Sequence, residues 1–204
     1  MIEIVTIETP SLGDRTYLAT DTVPALVTHP QRDTDRVLSV AAARGTAVTH
    51  VFEIHITTTL SPAAWPWPAS PVPPTTSSIV ADRYTYFQDF LDNFYNVDKL
   101  GGTRISDRAW QNSFIVASGA SPYATYACVD TWLTDFRADL PKIDVPTLVV
   151  HGTEDRIMPF EATAKRLPGL IKDLTLVPVD GGPHNVGWTY PDEVNAALLD
   201  FLSK

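Results

Sequence analysis

The sequence is poor in cysteine, in basic residues and in long apolar runs. Cys128 is the only cysteine among 204 residues, which rules out an internal disulfide framework and fits a reducing compartment. Lysine and arginine number 15 against 24 aspartates and glutamates, giving a net charge of −9. Nucleic acid and anionic membranes are bound through basic patches, and none is visible, so neither is expected as a partner.

No apolar stretch approaches the roughly 20 residues that a membrane-spanning helix needs. The first ten residues, MIEIVTIETP, have neither the basic region nor the apolar run of a signal peptide. We therefore expect a cytoplasmic protein. A chain of this length makes one domain or two small ones and is long enough to bury the core of an enzyme.

Residues 1–56 are rich in β-forming residues. IEIVTIE, RTYLAT and ALVT are separated by turn sequences and predict hairpin strands. The run RDTDRVLSVAAARG predicts a helix that stops at Gly45, and AVTHVFEIHI after it predicts a buried strand.

A strand like VTHVFE that leads into histidines resembles the opening of the metallo-β-lactamase fold, in the persulfide dioxygenase and hydroxyacylglutathione hydrolase branch. In that branch a T-H-x-H-x-D-H motif follows the strand and binds metal. Here the sequence reads IHITTT, so only His55 stands at a ligand position. A catalytic metal needs three or four ligands, so we expect no metal and interpret His29, His50 and His55 as surface or strand-end residues.

Residues 57–78 contain six prolines, two tryptophans and no charge. Two explanations remain open. The loss of one C from a GC-rich reading of a metal-motif-like peptide yields this sequence out of frame, and we favour that explanation. Alternatively, the segment is a stiff Pro-rich linker with Trp65 and Trp67 as docking aromatics. Both explanations predict disorder.

Residues 79–204 are typical of a globular α/β protein. Within 79–140 we predict helices with aromatic stripes, one of which places Tyr84, Phe87, Phe90, Leu91 and Phe94 on a single face. Within 141–204 the runs TLVVHG, EATAKRLPGLIKD, LTLVPV and PDEVNAALLDFL predict strand, helix, strand and helix, with Pro191 starting the last helix. This order predicts a parallel βαβ pair.

The sequences ADRYTYFQDF, CVDTWLTDFRADLPKIDVPTLVVHGTEDRIMP and GGPHNVGWTYPDEVNAALLDFL closely resemble the C-terminal part of the α/β-hydrolase fold, in the bacterial cofactor-free (non-heme) haloperoxidase, perhydrolase and arylesterase group. In that group an H-G-x-x-D-x-x-x-P loop carries the acid of a catalytic triad and a G-x-P-H loop carries its base. The resemblance implies Asp155 as the acid and His184 as the base, with no cofactor. His151 and Glu154 are expected to be structural.

The nucleophile of that group stands in G-x-S-x-G on a strand-to-helix elbow, and this chain has no such motif. Ser11 and Ser121 are the nearest candidates, but neither follows a strand that opens a helix. The resemblance implies ester hydrolysis, or perhydrolysis that supports halide oxidation, on a small acyl-ester or peracid-type substrate. Without the elbow, we expect the chain to be a truncated or chimeric member that is inactive alone.

The expected fold is therefore α/β: the C-terminal part of an α/β-hydrolase, comprising cap helices and the last two parallel strands and helices, joined by 57–78 to a β-rich fragment of metallo-β-lactamase type. Each part would form its own incomplete sheet with an uncovered face. The alternative functions are a non-catalytic binding protein or, with a broken metal site, a metallohydrolase. Substrate and oligomeric state stay open.

Overall fold

A computed structural model describes residues 3–9, 14–20, 25–28, 34–45, 48–53, 76–123, 125–127 and 137–203. Its strands and helices are, in chain order, β1 Glu3–Thr9, β2 Asp14–Thr20, β3 Ala25–Thr28, α1 Thr34–Ala43, β4 Val48–Glu53, α2 Thr76–Ala81, α3 Arg83–Phe94, α4 Val97–Leu100, α5 Asp107–Gly119, β5 Thr147–Gly152, β6 Leu174–Val179, α6 Val186–Thr189 and α7 Pro191–Leu202. Short 3₁₀ segments occupy Leu140–Lys142, Phe160–Ala162 and Ala164–Gly169.

The strands of the described residues lie in one sheet, in the order β1-β2-β3-β4-β5-β6. The pairs β1–β2 and β2–β3 are antiparallel, as the hairpin-like sequence of the first 28 residues predicts. From β3 to β6 every pairing is parallel. The helix α1 connects β3 to β4 and ends before Gly45, whose φ of +67° suits a glycine stop signal.

The expectation of two separate, incomplete sheets is wrong. β4 pairs with β5 across a sequence gap of more than 90 residues, with Val51 opposite Thr147 and Glu53 opposite Val149. A parallel strand exposes backbone N–H and C=O groups on both edges, and β4 satisfies the edge of β5 that β6 leaves open. The strands β1 to β4 therefore belong to the same sheet as β5 and β6.

All six residues of β5 are buried, because the strand is covered on both faces. Successive side chains of a strand point to opposite faces, so Leu148 and Val150 pack on one side and Val149 on the other. The first side is closed by α6 and α7 through Val186, Val194 and Phe201; the second is closed by Leu140, Ala164, Leu167 and Ile171. Two packed layers thus fix the carboxyl end of β5.

The helices α2 to α5 form an aromatic cluster beside the sheet. α3 starts at Asp82, whose carboxylate accepts hydrogen bonds from the backbone N–H groups of Tyr84 and Thr85. Tyr86, rather than Tyr84, lies on the buried face with Phe87, Phe90, Leu91 and Phe94. Tyr84 is 57% exposed, because the packed rows run 86-90-94 and 87-91 and do not include position 84.

One predicted element and one predicted boundary differ from the structure. The run EATAKRLPGLIKD forms 3₁₀ segments instead of an α-helix, since Pro168 inside it has no N–H to donate and its ring obstructs a regular α-turn. The helix α2 begins at Thr76, inside the segment predicted to be disordered up to residue 78; Thr and Ser are favoured at helix starts. The rest of that segment, and His29 and His55, lie outside the described residues.

Among the described residues there is no helix with the length and apolar composition that crossing a bilayer requires.

Candidate active site

Asp155 lies in the loop that follows β5, and its carboxylate shapes that loop. Oδ1 accepts hydrogen bonds from the backbone N–H groups of Ile157, at 2.8 Å, and Met158, at 2.7 Å. An aspartate that binds the backbone two and three residues ahead closes a tight turn, which fits the stretch D-R-I-M-P. The side chain is buried, so its charge depends on these partners rather than on water.

His184 lies in the loop that follows β6, next to the Asp155 loop, and its Nδ1 is 2.8 Å from Asp155 Oδ2. Neighbouring parallel strands end at the same edge of a sheet, so the loops after β5 and β6 meet there. Backbone hydrogen bonds join the loops: the Glu154 N–H donates to the Gly182 carbonyl at 3.0 Å. The structure thus brings together both residues that the sequence predicts as acid and base.

The carboxyl of Asp155 is held in its ionised form. Burial by itself raises the pKa of Asp155, but the attraction of His184 and hydrogen bonds from His151 and His184 outweigh it, so the pKa lies well below its usual range. A carboxylate accepts hydrogen bonds and does not donate them, so the proton between the two residues sits on His184 Nδ1. This arrangement fixes the imidazole tautomer as a triad acid does.

His151, the fifth residue of β5, is a second imidazole at the same carboxylate. Its Nε2 is 2.8 Å from the Met158 carbonyl oxygen and 3.2 Å from Asp155 Oδ2, and the residue is 1% exposed. Sequence reasoning expected a structural histidine here. The signal for a closer role is its position directly after three buried aliphatic residues of β5, because a buried polar group needs a partner.

The turn between α3 and α4 covers both loops. The Phe94 ring packs on the His184 ring with centroids 5.0 Å apart, and the Phe94 carbonyl accepts a hydrogen bond from the Asn185 N–H. Asn96, fully buried, donates from Nδ2 to the Glu154 carbonyl at 3.0 Å. Sequence reasoning placed Phe94 on an apolar helix face but gave no sign that it reaches His184, because the contact spans 90 residues.

The helix α4 adds two ion pairs to the loop of Asp155. Arg156 binds the Asp98 carboxylate through both guanidinium nitrogens at 2.8 and 3.0 Å, and Lys99 lies 2.6 Å from the Glu154 carboxylate. These pairs are partly exposed, so each is worth little stability. A bidentate arginine does fix geometry, and it ties α4 to the loop of Asp155.

Of the two serines considered from the sequence, Ser121 is described by the structure, and it does not stand on a strand-to-helix elbow. Ser121 is exposed and precedes the helical residues 122–123 and 125–127, and its carbonyl accepts a hydrogen bond from the Thr125 N–H. Ser11 lies outside the described residues. Within the described part of the chain no three His, Cys, Asp or Glu side chains are grouped so that they could hold a metal ion.

Comparison with known proteins finds relatives for part of the chain. No family model matches the chain. A protein of Synechocystis sp. that is provisionally named a non-heme chloroperoxidase is 56% identical over 125 residues, which are 61% of this chain and 45% of that protein. A bifunctional esterase/perhydrolase of Acinetobacter calcoaceticus is 39% identical over 69 residues, which are 34% of this chain and 25% of that protein. The chain thus spans about half, or less, of the length of these relatives.

Solved structures agree with the sequence matches. The crystal structure of a bromoperoxidase from Bacillus anthracis has a TM-score of 0.67 at 26% sequence identity, and the match covers 88% of this chain and 67% of the bromoperoxidase. Structures with the α/β-hydrolase fold cover most of the chain, and its C-terminal part resembles the non-heme chloroperoxidases. The resemblance of residues 1–56 to the metallo-β-lactamase fold finds no support in these comparisons.

Proposed function

We propose that this chain carries the acid and base of an α/β-hydrolase of the non-heme haloperoxidase and esterase type, whose substrates are small acyl esters or peracids. We also propose that the chain alone does not turn these substrates over, because it lacks the serine elbow. The observation that carries the proposal is the buried 2.8 Å hydrogen bond between His184 Nδ1 and Asp155 Oδ2. It is the acid–base half of a serine triad in arrangement and chemistry.

The expected chemistry follows from the tautomer. With its Nδ1 proton held by Asp155, a neutral His184 accepts protons at Nε2, the nitrogen on the opposite side of the ring. In acyl transfer that nitrogen takes the proton of a serine hydroxyl while the oxygen attacks the ester carbonyl, and it then returns the proton to the leaving alcohol. The carboxylate stabilises the imidazolium formed between these two steps.

The absent motif explains the proposed inactivity. Serine attack needs the hydroxyl held beside the base and N–H donors aimed at the developing oxyanion, and the sequence has no G-x-S-x-G to supply them. A well-placed general base alone contributes on the order of 10²- to 10⁴-fold.

The remaining expectations belong to the same proposal. A net charge of −9 and a single cysteine support a cytoplasmic protein that binds neither nucleic acid nor anionic membrane. Acyl transfer by a triad uses protein groups alone, side chains and backbone N–H donors, so no cofactor is part of the proposal. Residues 57–78 remain assigned either to out-of-frame translation or to a linker, and sequencing the gene around codon 57 distinguishes the two.

A groove favours a second candidate, a non-catalytic binding role. It has a volume of about 550 Å³ and lies between α2, the start of α3 and residues 122, 123 and 126. Its walls include Val80, Tyr84 and Tyr123, which are 72%, 57% and 80% exposed. Large exposed apolar side chains grouped in a concave surface are typical of binding sites.

The test compares p-nitrophenyl acetate hydrolysis by the wild type with that by an Asp155→Asn, His184→Ala double variant. We expect equal rates, and Asp139→Asn, at an exposed position, serves as a control for the loss of one charge. A serine-directed fluorophosphonate probe, followed by mass spectrometry of the labelled peptide, provides the second measurement. Stoichiometric labelling of one serine that is lost in the double variant would refute the proposed inactivity and identify the nucleophile.

A further inference from the structure

Three hydrogen bonds and one further close N···O contact converge on the Asp155 carboxylate. Oδ1 takes the backbone N–H groups of Ile157 and Met158, and Oδ2 lies within hydrogen-bonding distance of a ring nitrogen on each of two histidines, His184 and His151. The His184 contact is the shorter, at 2.8 Å against 3.2 Å for His151. The triad described above uses only His184, so the second imidazole is unexplained.

The tautomer of His151 follows from its partners. The Met158 oxygen, 2.8 Å from Nε2, is a carbonyl and can only accept, so the His151 proton sits on Nε2. Beside this hydrogen bond, Nε2 also lies 3.2 Å from Asp155 Oδ2. The opposite nitrogen, Nδ1, is buried and has no hydrogen-bond partner among the described residues. The polar contacts of this ring are therefore directed entirely at the acid loop.

We propose that His151 is a positioning residue for the acid–base pair: its Nε2–H clamps Met158 and the Asp155 carboxylate together and competes with His184 for Oδ2. The relevance of this to catalysis rests on the proposed function. The clamp itself does not, because it is a property of the folded chain. The ring is held in place by packing as well, since its centroid lies 5.8 Å from that of Phe160.

Two donors on one oxygen each weaken the other's bond, because each draws electron density from the same acceptor. If the Nε2–H of His151 is removed, Oδ2 is left to His184 alone, and the His184–Asp155 hydrogen bond becomes stronger. A residue that only fills space at position 151 has no such effect. The strength of the His184 hydrogen bond therefore distinguishes a positioning residue from a packing residue.

The matched variants are His151→Met and His151→Gln, which have similar size and shape. Glutamine places an amide N–H near the position of Nε2 and keeps the clamp, whereas methionine fills the site without a donor. The readout is the proton resonance of His184 Nδ1–H in the nuclear magnetic resonance spectrum, which moves to lower field as the hydrogen bond strengthens. This readout requires no turnover, so it is independent of whether a serine nucleophile exists.

We expect the resonance to move to lower field in His151→Met and to stay near its wild-type position in His151→Gln. An unchanged resonance in the methionine variant, or equal shifts in both variants, would overturn the proposal. If the methionine variant does not fold, the wild type alone decides: ¹⁵N spectra must show His151 protonated at Nε2 and bare at Nδ1. A proton on Nδ1 instead would rule out the clamp. Labelling of a serine by the fluorophosphonate probe would refute the proposed inactivity and leave this result unaffected.

Discussion

Gly152 and Gly182 are in direct contact, and through them the loops of Asp155 and His184 touch backbone to backbone. A Cβ placed on Gly152, the last residue of β5, would overlap the carbonyl group of Gly182. Beside this contact the Thr153 N–H donates to the Val179 carbonyl at 2.9 Å. The positions of these two loops, and with them the distance between Asp155 and His184, are thus fixed by backbone contacts, which are more rigid than contacts between side chains.

Substitution of Gly152 by alanine therefore tests the loop contact. We expect Gly152→Ala to lower the free energy of unfolding by about 1 to 3 kcal/mol, the usual cost of forcing a methyl group into a packed site. Gly169→Ala is the control, because a Cβ there would meet nothing within 4 Å, and it should change stability by no more than about 0.5 kcal/mol. Urea unfolding followed by circular dichroism measures both. Similar losses in the two variants would contradict a specific contact.

Asp155 gives stability a defined dependence on pH. Its pKa in the folded chain is lowered from the usual 3.8, so its contribution is complete above that value and is lost as the pH falls toward the lower pKa. Asp155→Asn removes the charge, and we expect it to cost about 1 to 3 kcal/mol near neutral pH, since buried donors lose their partner. Urea unfolding at several pH values should show the gap between wild type and variant narrowing below pH 4. A constant gap would exclude ionised Asp155 as its source.

Tyr86 gives stability the opposite dependence on pH. Burial disfavours the phenolate and raises the pKa of Tyr86 to about 12 from 10.0. Its contribution to stability is therefore present below pH 10 and is lost as the pH rises through the folded value.

The ultraviolet difference titration between the wild type and Tyr86→Phe, recorded in rapid pH jumps before unfolding, should show one phenol ionising near pH 12. Tyr123→Phe removes a phenol that is 80% exposed and should leave this high-pH component in place. If the difference between the wild type and Tyr86→Phe appears near pH 10 instead, Tyr86 is solvated.

The parts of the fold that the sequence predicts are those set by local patterns. The hairpin β1–β2, the Gly45 stop and the start of α7 at Pro191 each depend on a few adjacent residues. The meeting of Asp155 and His184 was predictable because both follow adjacent parallel strands. That prediction combines the spacing of the two motifs with the rule that neighbouring parallel strands end at the same edge of a sheet.

The parts that the sequence does not predict are set by long-range pairing. The β4–β5 ladder joins residues more than 90 positions apart, and no periodicity within either strand identifies the partner. The contact of His151 with the Met158 carbonyl depends in the same way on the loop 153–159, which folds back over the end of β5. Tyr86 is buried and Tyr84 is exposed, because the orientation of α3 depends on packing against neighbouring helices and not only on the aromatic pattern within its own sequence.

Asn96, in the turn between α3 and α4, contacts the loop of Asp155 and has an unusual backbone conformation. It is the only non-glycine residue with a positive φ in the described part of the chain, at 49°, and its Nδ2 donates to the Glu154 carbonyl. Asparagine tolerates this left-handed region better than residues with other side chains, and glycine better still. Conformation and hydrogen bond can therefore be separated by substitution.

We expect Asn96→Ala to destabilise the chain more than Asn96→Gly, by about 1 kcal/mol, as measured by urea unfolding. Both variants lose the hydrogen bond to Glu154, but only alanine carries the cost of a Cβ in the left-handed region, which is about 1 to 2 kcal/mol per residue. Because the turn also places Phe94 on His184, both variants should broaden or shift the ring resonances of His184. Equal stability of the two variants would mean that the turn relaxes to a negative φ. An unperturbed His184 spectrum would mean that Phe94 holds its position without the Asn96 contact.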